Sequence, residues 1–306
     1  MRLAILADIH GNLPALEAVQ DDVQAYGVDR ILVAGDLTGG PQSQPVLDRL
    51  RGLDAWCIRG NREEYLTALD AGAVPDYWRE SEQWAPLRWE YRRLDRAALD
   101  WISALPGPRV FAADGASPIR VVHGSPNSVR EPLFSQDEAV LKWFREAGFA
   151  ESELGPERLE AVWASLVEPV LVCGHTHVSW AEEREGRLIT NPGSVGAPLN
   201  GDVRAQYALL EWDGERWQVT HRAIPYDLER VRRVFGESGY LAEGGPYARA
   251  WLIGIQTGMY VWGRFLAHAR RLASEGEEAA RQAGIAGVWD RAVETFDWDR
   301  YARGDE

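Results

Sequence analysis

The chain has 306 residues, 45% of them hydrophobic and 26% charged, and a net charge of −14 from 33 basic and 47 acidic side chains. That balance excludes a disordered or collagen-like chain. So negative a protein has no general electrostatic reason to bind long nucleic acid or an anionic membrane. Two cysteines, Cys57 and Cys173, each lie inside an apolar run. They exclude a disulfide scaffold and a Cys-rich zinc module, and as buried free thiols they suit a cytoplasmic location. The apolar run before Asp8 is too short for a signal peptide, and the longest uncharged stretch late in the chain, Ala250 to Gly263, is shorter than the ~20 residues of a membrane span.

Leu3 to Ala7 reads as a strand ending at Asp8. Apolar residues at Leu13, Leu16, Val19 and Val23 predict a helix over Leu13 to Tyr26. Ile31 to Ala34 predicts a second strand ending in Gly35-Asp36, and Val46, Leu47 and Leu50 a second helix. Ala55 to Ile58 predicts a third strand running into Gly60-Asn61. This alternation belongs to a parallel sheet with covering helices. Residues 62–106 lack a strand pattern and carry Trp78, Trp84, Trp89, Tyr91 and Trp101. They read as a helical insertion whose aromatics are packing residues first, a lid over an active site being the alternative.

Strands return at Arg109 to Ala112, Ile119 to Val122 and Val170 to Cys173, with helices over Gln136 to Ala147 and Pro156 to Leu166. Trp180–Glu185, Arg187–Thr190, Tyr207–Trp212 and Trp217–Ala223 are joined by turns such as Glu185-Gly186 and Asp213-Gly214, which predicts antiparallel hairpins. Helices are expected over Leu228 to Phe235, Ala248 to Leu272 and Trp289 to Tyr301. The expected organisation is a core over 1–223, its parallel and antiparallel halves forming two packed sheets, with a helical extension over 224–306. The stripe Trp251, Ile255, Met259, Trp262 and Leu266 is broad enough to serve either packing on the core or a homodimer contact.

The polar residues that follow the strands carry the chemistry. They are Asp8 and His10, Asp36, Asn61, His123, and His175 with His177. Ligands of open α/β sheets bind beyond the carboxyl ends of the strands, so five strand ends can converge on one crevice. In extended backbone, a spacing of two puts Asp8 with His10, and His175 with His177, on one side as pincers. The seven donors comprise two carboxylates, one amide oxygen and four imidazoles, with no thiolate. A single ion needs fewer; seven, with one carboxylate shared, suit two divalent metals from among Mn, Fe, Zn, Ni and Co.

The order Asp8-x-His10, Gly35-Asp36, Gly60-Asn61, His123, Gly174-His175-x-His177 resembles the calcineurin-like metallophosphoesterases. The run from Asp8 to Glu17 and the turn Asn191-Pro-Gly-Ser-Val-Gly196 are similar to their bacterial branch of small phosphoesterases. The resemblance spans about residues 1–61 and 119–223 and implies a two-sheet α/β/β/α sandwich around a dinuclear metal centre. It implies that Asp8, His10, Asp36 and His177 hold one metal, and Asp36, Asn61, His123 and His175 the other, Asp36 bridging. The implied reaction is hydrolysis of phosphomonoesters or phosphodiesters by a hydroxide that bridges two ions about 3.5–4 Å apart. The partner is then a small phosphorylated substrate.

One position departs from the pattern. The family usually has His after the Gly-Asn asparagine; here it is Arg62. A guanidinium can bind a phosphate oxygen and stabilise charge, but it cannot protonate a leaving group. Arg62 is therefore the expected phosphate contact, and simple alkyl phosphomonoesters are expected to turn over slowly beside aryl phosphates or phosphodiesters. Asn12 is the second candidate for substrate binding, with capping of the helix from Leu13 as its other role. Arg62 also supports a different reading: a catalytically weak, metal-binding protein of the same fold that senses a ligand or binds a partner.

Overall fold

The computed structural model describes residues 1–112, 115–275 and 284–302. Strand β1 (Arg2–Leu6) is apolar on both faces because both are covered. Leu3 and Ile5 pack toward a second sheet, while Ala4 and Leu6 pack under helices. β1 pairs in parallel with β2 (Arg30–Val33), and β2 with β3 (Trp56–Cys57). Helices α1 (Leu13–Tyr26) and α2 (Ser43–Gly52) make the crossovers. The other edge of β1 takes β9 (Ala205–Trp212) antiparallel, with Leu3 opposite Leu210, and β9 takes β10 (Trp217–Ile224). In the second sheet β5 (Ile119–Val121), β6 (Val170–Val172) and β8 (Arg187–Pro192) run parallel. Antiparallel edges β4 (Arg109–Phe111) and β7 (Ser179–Arg184) complete it.

The two sheets, ordered β10-β9-β1-β2-β3 and β4-β5-β6-β8-β7, are thus both mixed. The expected split into a parallel and an antiparallel sheet is corrected: the first sheet joins parallel β1-β2-β3 to an antiparallel β9-β10 flank, and the second has parallel β5-β6-β8 between two antiparallel edges. Hairpin pattern joins β7 to β8 and β9 to β10, but it does not say which sheet a hairpin extends. That is decided by the open edge against which its apolar face can be buried.

Between the sheets lies a core of Leu3, Ile5, Leu32, Val121, Val172 and Leu210. Outside the first sheet, α1, α2 and the insertion helices α3 (Asn61–Asp70) and α6 (Arg96–Ala104) bury Leu16, Leu47, Leu66 and Ile102. The insertion also contains α4 (Asp76–Glu80) and α5 (Ala85–Tyr91). Outside the second sheet, α7 (Glu138–Ala147) and α8 (Glu157–Ser165) share one apolar cluster with the C-terminal helices. Those are α9 (Leu228–Glu237), α10 (Tyr240–Thr257), α11 (Val261–Glu275), α12 (Trp289–Thr295) and α13 (Trp298–Ala302).

The helix expected over Ala248 to Leu272 is broken in two. Gly258 sits at φ +70°, and a β-carbon there would come within 2.8 Å of Gly201 backbone. Trp251, Ile255 and Trp262 are buried within the chain itself. Among the described residues no helix is long and apolar enough to cross a membrane.

Candidate metal centre

Five strands end at one place. Asp8 and His10 follow β1, Asp36 follows β2, Asn61 follows β3, His123 follows β5, and His175 and His177 follow β6. The segments are not extended, as the two-residue spacing suggested. Asp8, His10, Asp36, His175 and His177 all have φ between 51° and 70°, the left-handed region that residues with a side chain rarely adopt. Each costs of order 1–3 kcal/mol and persists only where surrounding bonds enforce it. Here the loops are laced together: Asp8 N–H donates to Gly35 O, His10 N–H to Asp36 O, and Gly174 N–H to His123 O. The turn after β8 joins in, Ser194 Oγ donating to Asp8 O and Asn191 Nδ2 to Gly174 O. The crowding is tight enough that a β-carbon on Gly60 would fall 2.2 Å from Asp36 Oδ1.

The imidazoles are held in one tautomer. His10 Nδ1 donates to Thr38 O at 3.1 Å, His123 Nδ1 to Ala34 O at 2.8 Å, and His177 Nδ1 to Ala197 O at 2.7 Å. A carbonyl only accepts, so Nδ1 carries the proton and Nε2 presents a lone pair when the ring is neutral. His10 Nε2 and His177 Nε2 face each other at 3.0 Å. Asp8 Oδ1, buried without a hydrogen bond, is 3.5 Å from His177 Nε2, 3.8 Å from His10 Nε2 and 4.0 Å from His123 Nε2. Asp36 reaches both sides, Oδ2 lying 3.7 Å from His10 Nε2 and Oδ1 3.4 Å from His123 Nε2. Asn61 Oδ1 is 3.1 Å from His123 Nε2.

These donors form two buried clusters, Asp8–His10–His177 and Asp8–Asp36–His123. Opposed lone pairs and an orphaned carboxylate oxygen in a dry site are what a cation would satisfy, so the donor set fits divalent metal ions. The carbonyl behind each ring is the outer partner that orients a ligating histidine. His175 belongs to neither cluster; its ring is edge-on to His123 at 5.1 Å, and its backbone N–H donates to Asp8 Oδ2.

Charge follows burial. Burial pushes the Asp8 carboxyl up to about 8. Burial acts the same way on Asp36, but the charge and hydrogen bond of His123 outweigh it and hold Asp36 well below the carboxylate range. His123 is raised to about 10, its own burial being overcome by Asp36. Burial, aided by the charge of His123, lowers His175 to about 3; burial takes His177 down to about 4 and His10 well below 6.5. Three neutral imidazoles therefore offer lone pairs at neutral pH.

The other two candidates separate. Asn12 caps α1: its Oδ1 accepts from Ala15 N–H, and its Nδ2 donates to Gly196 O and to Tyr226 Oη. It is not among the residues that line the cavity above the centre. Arg62 does line it, and its Nη2 pairs at 3.0 Å with Glu90 Oε2, a buried carboxylate from α5. Glu90 also accepts from Gly39 N–H and Ser43 Oγ. The Trp-rich insertion thus reaches the site through Glu90 and Pro86.

Three contributors were not anticipated from sequence. Glu63, fully buried, accepts from the backbone N–H of Asp36, Leu37, Thr38 and Gly60 and from Thr38 Oγ1. Its signal was available as an acid three residues after a helix cap. Glu90 left no signal, because its role depends on how α5 docks. The third is the roof: α10, α11 and the link between them supply Tyr247, Trp251, Tyr260 and Trp262 to a cavity of about 330 Å³ above the candidate ligands.

The profile of the calcineurin-like phosphoesterase superfamily domain matches residues 1–215. The phosphodiesterase YfcE of Escherichia coli is 27% identical over 215 residues, covering 70% of this chain and 89% of that protein. A metallophosphoesterase structure from Sphaerobacter thermophilus is 27% identical with a TM-score of 0.59, covering 80% of this chain and 99% of its own. A Pyrococcus horikoshii protein superposes with a TM-score of 0.63 at 19% identity over 84% of this chain and 98% of its own, which speaks for the fold alone. Two mixed sheets, a buried Asp/His cluster at their strand ends and a domain match across most of the sequence lead to one conclusion: the chain belongs to the calcineurin-like phosphoesterase superfamily.

Proposed function

We infer that the protein hydrolyses small phosphate esters, monoesters or diesters, at a centre of two divalent cations. The observation that carries this is the opposed pair His10 Nε2 and His177 Nε2 beside the unpartnered Asp8 Oδ1, a geometry that calls for a cation. Asp8, His10, Asp36 and His177 would hold one ion, and Asp36, Asn61, His123 and His175 the other. When bound, such a pair polarises a phosphoryl oxygen and activates the attacking water near neutral pH.

The remaining work falls to the chain. Asp36 ties the two halves of the centre together, its Oδ1 further fixed by the Arg62 N–H at 2.8 Å. The Arg62 side chain, anchored at one end by Glu90, offers N–H donors to a phosphoryl oxygen from the cavity wall. It stays charged throughout and lends no proton to a departing alcohol. Esters with good leaving groups are accordingly the faster substrates. The diesterase activity named for the Escherichia coli relative is in keeping with this.

The test is hydrolysis of bis-p-nitrophenyl phosphate by protein reloaded with Mn, Ni, Co or Zn, beside elemental analysis. Uptake of about two ions per chain is expected, and Asp36→Ala is expected to lose both uptake of the second ion and at least ~100-fold in kcat/KM. Absence of stoichiometric uptake ends this reading. The pairing of Arg62 with Glu90 favours the other one, a metal-binding sensor or partner-binding module. It predicts full uptake with no turnover by any of the four metals.

A further inference from the structure

The cavity above the ligands has two chemically different ends. At its floor are the polar side chains of the centre, with Arg62 at the wall and Arg130 at the rim. Its upper part is aromatic: Tyr65 from α3, Phe149 after α7, Tyr247 and Trp251 from α10, Tyr260 from the link to α11, and Trp262 from α11. Four of these six lie beyond residues 1–215, the part that the family profile matches. Most of the roof thus lies outside the part of the chain that the family profile matches.

Trp251 and Trp262 belong to the apolar cluster of the C-terminal helices, and half-buried Tyr247 and Tyr260 pack against it; all four also line the cavity. The rings also form a connected wall. Phe149 and Tyr260 stack at 5.1 Å, Tyr260 meets Trp262 edge-on at 5.0 Å, and Trp262 lies 4.1 Å from Trp251. Trp251 in turn stands edge-on to His10 at 4.8 Å. The aromatic wall therefore begins beside His10, one of the candidate metal ligands. On the opposite side the Arg130 guanidinium lies over Tyr65 at 4.9 Å.

We propose that α10 and α11 make the site selective for small phosphate esters whose alcohol carries one flat aromatic group, stacked on the Trp251–Trp262–Tyr260 wall while the phosphate rests on the centre. This rests on the phosphoesterase reading above. A volume of about 330 Å³ is at the lower end for small-ligand sites, a size that suits one small ester. Stacking of a flat ring on aromatic side chains is tolerant of the ring's identity, so an aryl group and a nucleobase satisfy the same chemistry.

Leaving-group ability must be held constant in the test. Benzyl phosphate is compared with cyclohexylmethyl phosphate, and adenosine 5′-phosphate with ribose 5-phosphate, using the metal that supports turnover of bis-p-nitrophenyl phosphate. The flat member of at least one pair is expected to be favoured about tenfold in kcat/KM. Preference in the first pair alone assigns a single aryl ring, and preference in the second assigns a nucleobase. Trp251→Leu should bring the ratio to about one, and Trp251→Phe should restore part of it.

Binding of benzylphosphonate against cyclohexylmethylphosphonate, followed by tryptophan fluorescence, reads the same preference without turnover. It therefore decides the matter if no ester is hydrolysed. Equal kinetics and equal binding within both wild-type pairs would overturn the proposal while leaving the phosphoesterase standing. A 20-nucleotide oligomer cleaved internally as fast as the monomer is hydrolysed would overturn it as well.

Discussion

Glu63 shows how much of a metal site lies outside its ligands. Its two oxygens collect four backbone N–H groups and one hydroxyl, holding the loop after β2 against the start of α3 so that Asp36 and Asn61 meet. Glu63→Gln would turn one acceptor into a donor facing donors. A loss of about 2–4 kcal/mol is expected, read by urea unfolding of the metal-free protein. Arg62 and Glu90 form the other buried dependence, with side chains 15% and 1% exposed. Removing either partner leaves a charge with no counterpart, at a cost of about 3–5 kcal/mol. The double mutant Arg62→Ala/Glu90→Ala is expected to cost at least ~1 kcal/mol less than the sum of the singles, measured by a double-mutant cycle. Additivity would mean that the pair does not act as a unit.

Among the elements, β1, β2, β3, β5 and β6 each deliver one or two candidate donors to one place, and bonds between neighbouring loops keep them there. α10 is tied to this place, Tyr240 Oη donating to Gly39 O beside Arg62. Farther off, Arg120 on β5 grips Glu168 ahead of β6 through two hydrogen bonds of 2.7 and 2.6 Å. The Arg120 bonds lower the Glu168 carboxyl below its ordinary 4.5. A depressed folded value stabilises above the unfolded one, so the gain is complete above pH 4.5 and lost as pH falls through the lower folded value. Glu168→Gln should cost about 1 kcal/mol at pH 7, after allowance for the solvent around Arg120, and progressively less as pH falls below 4.5. Unfolding curves of both proteins across that range check it.

The whole molecule closes over its site from two directions, with the insertion contributing Glu90 and the C-terminal helices the roof. Because the unfolded chain cannot assemble seven dispersed donors, binding of an ion at this centre would be coupled to folding. At 100 times its dissociation constant a bound ion adds about 2.7 kcal/mol, a rise of about 4 °C in Tm for a chain of this size. Thermal unfolding with and without chelator should show that difference, and Asp8→Ala should abolish it.

The sequence alone determined the strand ends, the donors at each of them, and the helical character of 62–106 and of the described residues after Ile224. Those follow from apolar runs, turn residues and spacing, which are local. The assignment of hairpins to sheets, the left-handed backbone at five ligands, the choice of Glu90 as partner of Arg62 and the break at Gly258 were decided only in three dimensions. Each depends on what a distant segment buries or bonds. A carboxylate in α5 or an indole in α10 carries no mark of the loop it will face until packing brings the two together.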